Sequence, residues 1–163
     1  MEKDECIAAF LKSVKEKQSK QSAKETRVRL GQIRESLMTH KDWIGLLQVV
    51  FNTFIRLRDT GKPCISCGAD MKDRKGDASH FYSVGHYPSL RVDEDNCHLS
   101  CVPCNQHKGG NLHEYAIRLP IRIGQERFDA LTEKRNVYFK LTIPEIQEKI
   151  ADYKSKIKAL KTL

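Results

Sequence analysis

Two Cys-x-x-Cys pairs constrain this chain more than anything else in it. Cys64-Ile65-Ser66-Cys67 and Cys101-Val102-Pro103-Cys104 stand about 34 residues apart. Each pair presents two sulfurs from one tight turn, and four thiolates close a tetrahedral structural zinc site. A metal held this way ties together two distant points of chain and replaces much of the core that a small region lacks. The competing reading is two disulfides or buried free thiols. Disulfides need an oxidising compartment. The opening Met1-Glu2-Lys3-Asp4-Glu5 is polar, and no apolar run follows that suits an export signal or a bilayer span. The expectation is therefore a soluble, cytoplasmic protein with one structural Zn²⁺ on Cys64, Cys67, Cys101 and Cys104.

The charge is arranged around that centre. Residues 62–118 hold seven Lys/Arg and seven Asp/Glu, which cancel. The net charge of +8 comes from the flanks, with 12 basic against 8 acidic residues in 1–61 and 10 against 6 in 119–163. Basic arms beside a neutral centre suit a polyanion gripped by the arms and acted on in the middle. The bland alternative is a set of solvated Lys-rich helices.

Hydrophobic spacing divides the chain into a basic helical arm (1–40), a metal-bearing core with a leading helix (41–120) and C-terminal helices (121–163). Residues 4–38 read as a helix whose Lys12–Arg34 stretch carries eight basic and two acidic residues. Such a stretch buries little and stays solvated or touches phosphate. Residues 41–58 are the most apolar helix, with Asp42 as its N-cap and Trp43, Leu47, Val50, Phe54 and Leu57 at helical steps. Residues 69–78 read as polar loop. Ser79–Val84 reads as a strand, Leu90–Val92 as a brief extension, and Cys97–Cys101 leads into the second knuckle. A helix begins at Asn105, and Asn111 caps a further one that ends at Pro120. Thr142-Ile143-Pro144-Glu145 is a capping box. It opens a helix whose Ile143, Ile146, Ile150, Tyr153, Ile157 and Leu160 form a narrow stripe. That stripe packs on its own chain or on a second copy, with the homodimer favoured.

Within this frame stand His80, Asn96 five residues before Cys101, and Asn105 directly after Cys104. A phosphodiester nuclease needs a divalent cation, a neutral histidine to activate water, and a group that orients the histidine. The spacing of these three residues about the second knuckle resembles the His-Asn-His/Asn (HNH) nucleases of ββα-metal fold, in the variant that ends in Asn. The run Trp43–Arg58, then Gly61–Gly68, Gly76–His80, Ser83–Gly85, Leu90-Arg91, Glu94–His98, Cys101, Cys104-Asn105, Gly110-Asn111 and Glu114-Tyr115 resembles the phage NinG (Rap) recombination endonucleases. The likeness covers about residues 41–135. It implies a mostly helical α+β protein with a zinc-stabilised ββα-metal core between long terminal helices. It implies a structure-selective endonuclease that cuts branched DNA such as Holliday junctions and D-loops. By that resemblance His80 is the general base, Asn96 orients it, and Asn105 binds a catalytic Mg²⁺ or Mn²⁺.

One departure leaves the second catalytic-metal ligand open. Many HNH relatives carry an acid just before the catalytic histidine, where this sequence has Ser79. Asp77, His98 or water alone could complete the shell, since Mg²⁺ keeps much of its hydration. His40, His86, His107 and His113 read as surface or inert side chains, Cys97 as a packed thiol, and Cys6 as a thiol outside the metal set. Arg91, Lys108 and Arg118 are candidates for phosphate contact. Two other functions compete: a nicking or restriction-type nuclease of plain duplex, and a zinc-stabilised DNA-binding module without catalysis. The expected partners are DNA, branched DNA above all, and a second copy of the chain.

Overall fold

The structure is a computed structural model that describes residues 2–138 and 140–162, with no side-chain detail for residues 2–6, 8 and 9. The Cys6 thiol therefore lies outside the described side chains. The chain falls into two units, residues 1–39 and residues 40–163.

The first unit is one helix, α1 (Glu2–Ser36). Its composition explains its state: Ile7, Phe10 and Leu11 remain 57%, 66% and 58% exposed, and its basic residues from Lys12 to Arg34 face solvent. A helix with so little apolar surface buries almost nothing within its own unit.

The second unit is built on α2 (His40–Arg58), which buries Trp43, Leu47, Phe51, Phe54 and Ile55 on one face. The helix begins at His40, so Asp42 sits in its first turn instead of capping it. An acid there still faces the positive end of the helix dipole. Helix α5 (Ile143–Lys161) lays Ile146, Ile150 and Tyr153 against α2. The Tyr153 ring meets Phe51 and Phe54, each at 5.2 Å between centroids, and its hydroxyl donates to the Val92 carbonyl at 3.2 Å. Ile146, Ile150 and Tyr153, the buried part of the C-terminal stripe, therefore pack within their own chain. The capping box opens α5 as expected: the Thr142 N–H and hydroxyl both donate to Glu145 Oε2 at 2.7 Å.

The sheet has two antiparallel strands, β1 (Gly76–His80) and β2 (Cys97–Cys101). Their register pairs Gly76 with Cys101, Asp77 with Ser100, Ala78 with Leu99, Ser79 with His98 and His80 with Cys97. The first strand lies earlier than the apolar run Ser79–Val84 suggests, and ends where that run was expected to begin in earnest. Cross-strand pairing with the fully buried β2 makes a strand of the polar Gly-Asp-Ala-Ser-His sequence. A Cβ at Gly76 would meet Leu99 Cδ1 at 2.6 Å and Met71 Cε at 2.8 Å, so one or both of those side chains would have to move to admit it. Between the strands, residues 88–90 form a short 3-10 turn in place of the expected extension.

After β2, Pro103–His107 forms one wide turn of π-helix, not the α-helix start expected at Asn105. Helix α3 (Leu112–Ile123) runs through Pro120 and stops at Gly124, whose φ of 90° suits glycine. Helix α4 (Gln125–Lys134) follows directly. Tyr115 and Leu119 of α3 and Leu131 of α4 join Ile65 and Leu90 in a cluster beneath the first knuckle and the interstrand loop. No described helix is long and apolar enough to cross a membrane.

Candidate metal centre and the groups around it

The two knuckles converge. The sulfurs of Cys64, Cys67, Cys101 and Cys104 all lie within 4.8 Å of one another. Cys67 Sγ and Cys101 Sγ are 3.8 Å apart. A tetrahedron with Zn–S bonds of about 2.3 Å has edges of roughly 3.8 Å, so this spacing is that of thiolates around one ion. All four thiols are free of disulfides. These cysteines could hold a metal ion such as zinc.

The local fold prepares the sulfurs for that charge. Burial would push the Cys64 thiol up. The N–H groups of Cys67 and Cys101 and the Ser100 hydroxyl point at the sulfur and bring it down to about 6. The Cys101 N–H lies 3.2 Å from Cys64 Sγ. Cys104 goes the other way, to about 12, through burial and its sulfur neighbours, as expected when thiols share one cavity without a cation. Asn111 stands at the N-terminus of α3 with φ 48°, but its side chain does not cap the helix; its amide donates to Cys104 Sγ at 3.7 Å. The Ser66 hydroxyl donates to the Gly110 carbonyl at 2.8 Å, tying the first knuckle to the loop behind the second.

The strand register sorts the other candidates onto two faces. Successive side chains alternate across a strand. Asp77, Ser79, His98 and Ser100 therefore share one face, while His80, Ala78, Cys97 and Leu99 share the other. Asp77 is half-buried and meets the π turn. Its Oδ2 accepts from Asn105 Nδ2 at 3.0 Å and from Gln106 Nε2 at 2.8 Å. The residue that follows the last cysteine is thus joined to the acid of β1.

His80 lies on the opposite face, about 10 Å along the strand from Asp77. Its Nε2–H donates to the Arg91 carbonyl at 2.9 Å. That bond fixes the tautomer and leaves the lone pair on Nδ1. Burial and the nearby Arg91 charge lower the pKa of the ring, against the carbonyl bond, so it is neutral at pH 7. Nδ1 faces Cys97 Sγ at 3.7 Å, a long contact to a weak donor. Cys97 is fully buried and its thiol is pushed up by that burial, so it stays a packed S–H.

Among the described residues, the hydrogen bonds of the Asn96 side chain go to backbone groups and not to His80. Asn96 is fully buried; its Oδ1 accepts the Tyr82 N–H at 2.7 Å, and its Nδ2 donates to the Tyr82 and Leu90 carbonyls, both at 3.0 Å. It therefore braces the loop whose next carbonyl, that of Arg91, receives His80. His98 is 3% exposed. Its Nδ1 is 3.4 Å from the Tyr115 hydroxyl, which itself donates to the Ser79 carbonyl at 3.0 Å. Burial pushes the His98 pKa down to about 3. It belongs to the packing under α3, while His86, His107 and His113 are exposed.

Sequence reasoning passed over Arg58 and Asp59. Asp59 is fully buried and takes Arg58 at 2.8 Å, Lys62 at 2.9 Å and the Leu99 N–H at 3.1 Å. Burial would raise its pKa; the bonds and charge of Arg58 and Lys62 win and hold it well below the usual carboxylate range. Arg58 also donates to the Glu94 and Cys97 carbonyls at 2.9 and 2.8 Å. The pair clamps the end of α2 to β2 and to the loop that positions His80. The available signal was an adjacent pair of opposite charges ending an otherwise apolar helix.

The family model described as "Bacteriophage Lambda NinG protein" matches residues 1–162. Among curated relatives, "Protein ninG" of Escherichia phage 933W and that of Escherichia phage lambda are each 43% identical over 119 residues, which is 73% of this chain. "Protein ninG" of Salmonella phage P22 is 41% identical over the same length. The chain's match spans 58% of the 933W and P22 proteins and 57% of the lambda protein. No solved structure matches significantly. These findings correct the resemblance drawn from the sequence. The family is NinG, Rap is a different lambda gene, and neither the family description nor the relatives' names carry an HNH or endonuclease designation. With the family model matching from residue 1 to residue 162, the chain belongs to the phage NinG family.

Proposed function

We propose that this chain is a metal-dependent DNA endonuclease that cuts branched recombination intermediates. Its core would be a ββα-metal unit: two strands and a helical turn, held by one zinc on the four cysteines. The observation that carries the reading is the contact between Asp77 of β1 and Asn105 of the π turn. A carboxylate and an amide supply the oxygen donors that a hard divalent ion takes. The amide of Asn105 can present its oxygen by a half-turn about its last bond, since its two ends are nearly isosteric. Mg²⁺ or Mn²⁺ there would neutralise the scissile phosphate and stabilise the leaving oxygen.

The remaining work falls to the chain's own residues. His80, neutral and with Nε2 tied to the Arg91 carbonyl, has Nδ1 left to take the proton of the attacking water, once the long contact to the Cys97 thiol gives way. Asn96 holds the loop that keeps that carbonyl in place. Cys64 and Cys67 with Cys101 and Cys104 would hold a zinc ion that supplies no chemistry and ties the first knuckle to the end of β2 and the π turn. The neutral centre and basic flanks suit DNA as the polyanion.

A second reading has its own observation. Asp77 is already satisfied by the amides of Asn105 and Gln106, and His80 leaves β1 on the other face. That arrangement suits a zinc-stabilised DNA-binding module without catalysis. Cleavage of a labelled four-way junction beside a matched linear duplex, in Mg²⁺, with a chelated control and His80→Ala, separates the readings. Junction-selective, Mg²⁺-dependent cutting that falls about 10²- to 10⁴-fold in the variant supports the proposal. Equal cutting of both DNAs leaves a plain duplex nuclease. Junction binding with no cutting leaves the binding module.

A further inference from the structure

The geometry points to a groove for the DNA sugar–phosphate backbone between the end of α2 and the loop before β1, lined by Arg56, Lys72 and Arg74. The assignment rests on the proposed action on DNA and names where the strand lies. The groove holds about 350 Å³, and its floor includes Met71 and Leu99. Arg56 comes from the last turn of α2, and Lys72 and Arg74 come from the loop between the first knuckle and β1. No acidic residue lines it. Asp73 lies in the same loop but outside the lining, and Asp70 is engaged with the Lys72 backbone N–H at 2.9 Å.

What singles the groove out is that three cations without a carboxylate partner share one concave lining. Arg58 and Lys62 pair with Asp59, Arg127 with Asp95, Lys134 with Asp93 and Lys156 with Glu94. Arg127, Lys134 and Lys156 tie the loop between the strands to α4 and α5, while Arg58 and Lys62 share the one carboxylate of Asp59. Among the described residues, Arg56, Lys72 and Arg74 pair with no carboxylate; Arg56 is held only by the Thr53 hydroxyl, at 3.2 Å. Three unneutralised cations around an apolar floor attract an anion and displace water and counterions on binding it. An extended polyanion fits better than a single small anion, because the three side chains line an open groove and converge on no buried donor.

The groove also lies at a useful distance. Gly76 and Leu99 belong to the sheet face that carries His80. Gly76 is four residues from His80, about 13 Å along β1. A duplex advances 3.4 Å per nucleotide of one strand, so a backbone placed at His80 reaches the groove about four nucleotides away.

The test measures DNA binding and needs no cleavage. The zinc-loaded full chain, without added Mg²⁺, is titrated into fluorescent duplex and four-way junction at 0.05–0.3 M salt. The triple variant Arg56→Gln/Lys72→Gln/Arg74→Gln is compared with Lys154→Gln/Lys158→Gln/Lys161→Gln, which removes the same charge from the exposed side of α5. Zinc content and circular dichroism check that both remain folded. Two to three lost phosphate contacts predict a salt slope smaller by about 2–3 and an affinity roughly 30- to 150-fold lower at 0.15 M salt for the groove variant. The α5 variant should change the slope by less than about one contact. Equal losses in the two variants, an unchanged slope in the groove variant, or a wild type that binds neither DNA would overturn the groove. A wild type that binds through the groove and never cuts keeps it and removes the nuclease reading.

Discussion

Asp59→Asn removes one charge and almost no volume from the most enclosed ionic site of the fold. The substituted amide keeps an oxygen for the Leu99 N–H but loses the charge that answers Arg58 and Lys62. Breaking a buried ion pair by removing one partner costs about 3–5 kcal/mol. Here the partners' side chains are 20% and 44% exposed, so water recovers part of their solvation and the cost sits near the low end, about 3 kcal/mol. With a urea m-value of about 2 kcal/mol/M, the unfolding midpoint should fall by roughly 1.5 M at pH 7. The pH dependence is a second constraint. The folded carboxyl is depressed, so its contribution is complete above the unfolded value near 3.9 and is lost only as pH falls through the lower folded value. The gap between wild type and variant should therefore be flat from pH 8 to pH 5. Urea unfolding of the zinc-loaded protein, followed by circular dichroism, measures both. A loss under about 1 kcal/mol, or a gap that closes between pH 8 and pH 6, would refute the clamp.

Three further outcomes follow from the same structure. Cys104→Ser should lower bound zinc from one per chain to well below one and melt the sheet, read by metal analysis and near-ultraviolet circular dichroism; full zinc retention would contradict the four-sulfur site. His98 binds a proton near pH 6.5 when unfolded but only at about 3 when folded, so wild-type stability should fall by up to about 1.4 kcal/mol per pH unit below 6.5. Urea midpoints at pH 7.5, 6.5 and 5.5 should therefore drop more steeply for wild type than for His98→Asn, and equal slopes would count against the buried neutral ring. Thr142→Ala removes the hydroxyl half of the capping box and should cost about 0.5–2 kcal/mol, with α5 first to lose amide protection in hydrogen exchange.

What the sequence disclosed, and what it withheld, follows physical lines. The cysteine knuckles, α2 and the Thr142 box are local patterns: fixed spacings, a 3.6-residue period and a cap at three residues' remove. Each is visible without knowing what it packs on. The first strand is different. Gly76-Asp77-Ala78-Ser79-His80 has little strand propensity of its own and becomes a strand because β2, fully buried, pairs with it. The stripe on α5 was legible, but its partner α2 lies about a hundred residues upstream, and periodicity carries no address. The roles of polar groups were least legible. Asn96 was expected to orient His80, and its described bonds brace a loop through two backbone carbonyls and an N–H, a task only tertiary contacts define. Asp59 reaches Leu99 across 40 residues, and nothing in its neighbourhood announces that.

Asp77 and Asn105 are the residues expected to hold the catalytic ion. The most direct measurement is the single-turnover rate of four-way-junction cleavage in Mg²⁺ by wild type and by Asp77→Asn, with zinc content and junction affinity matched. If that carboxylate holds the catalytic ion, the variant should lose several kcal/mol of transition-state stabilisation, a fall of about 10²- to 10³-fold with binding intact. An Asp77→Asn protein that cuts at the wild-type rate, at the same Mg²⁺ concentration, would contradict the account at its centre.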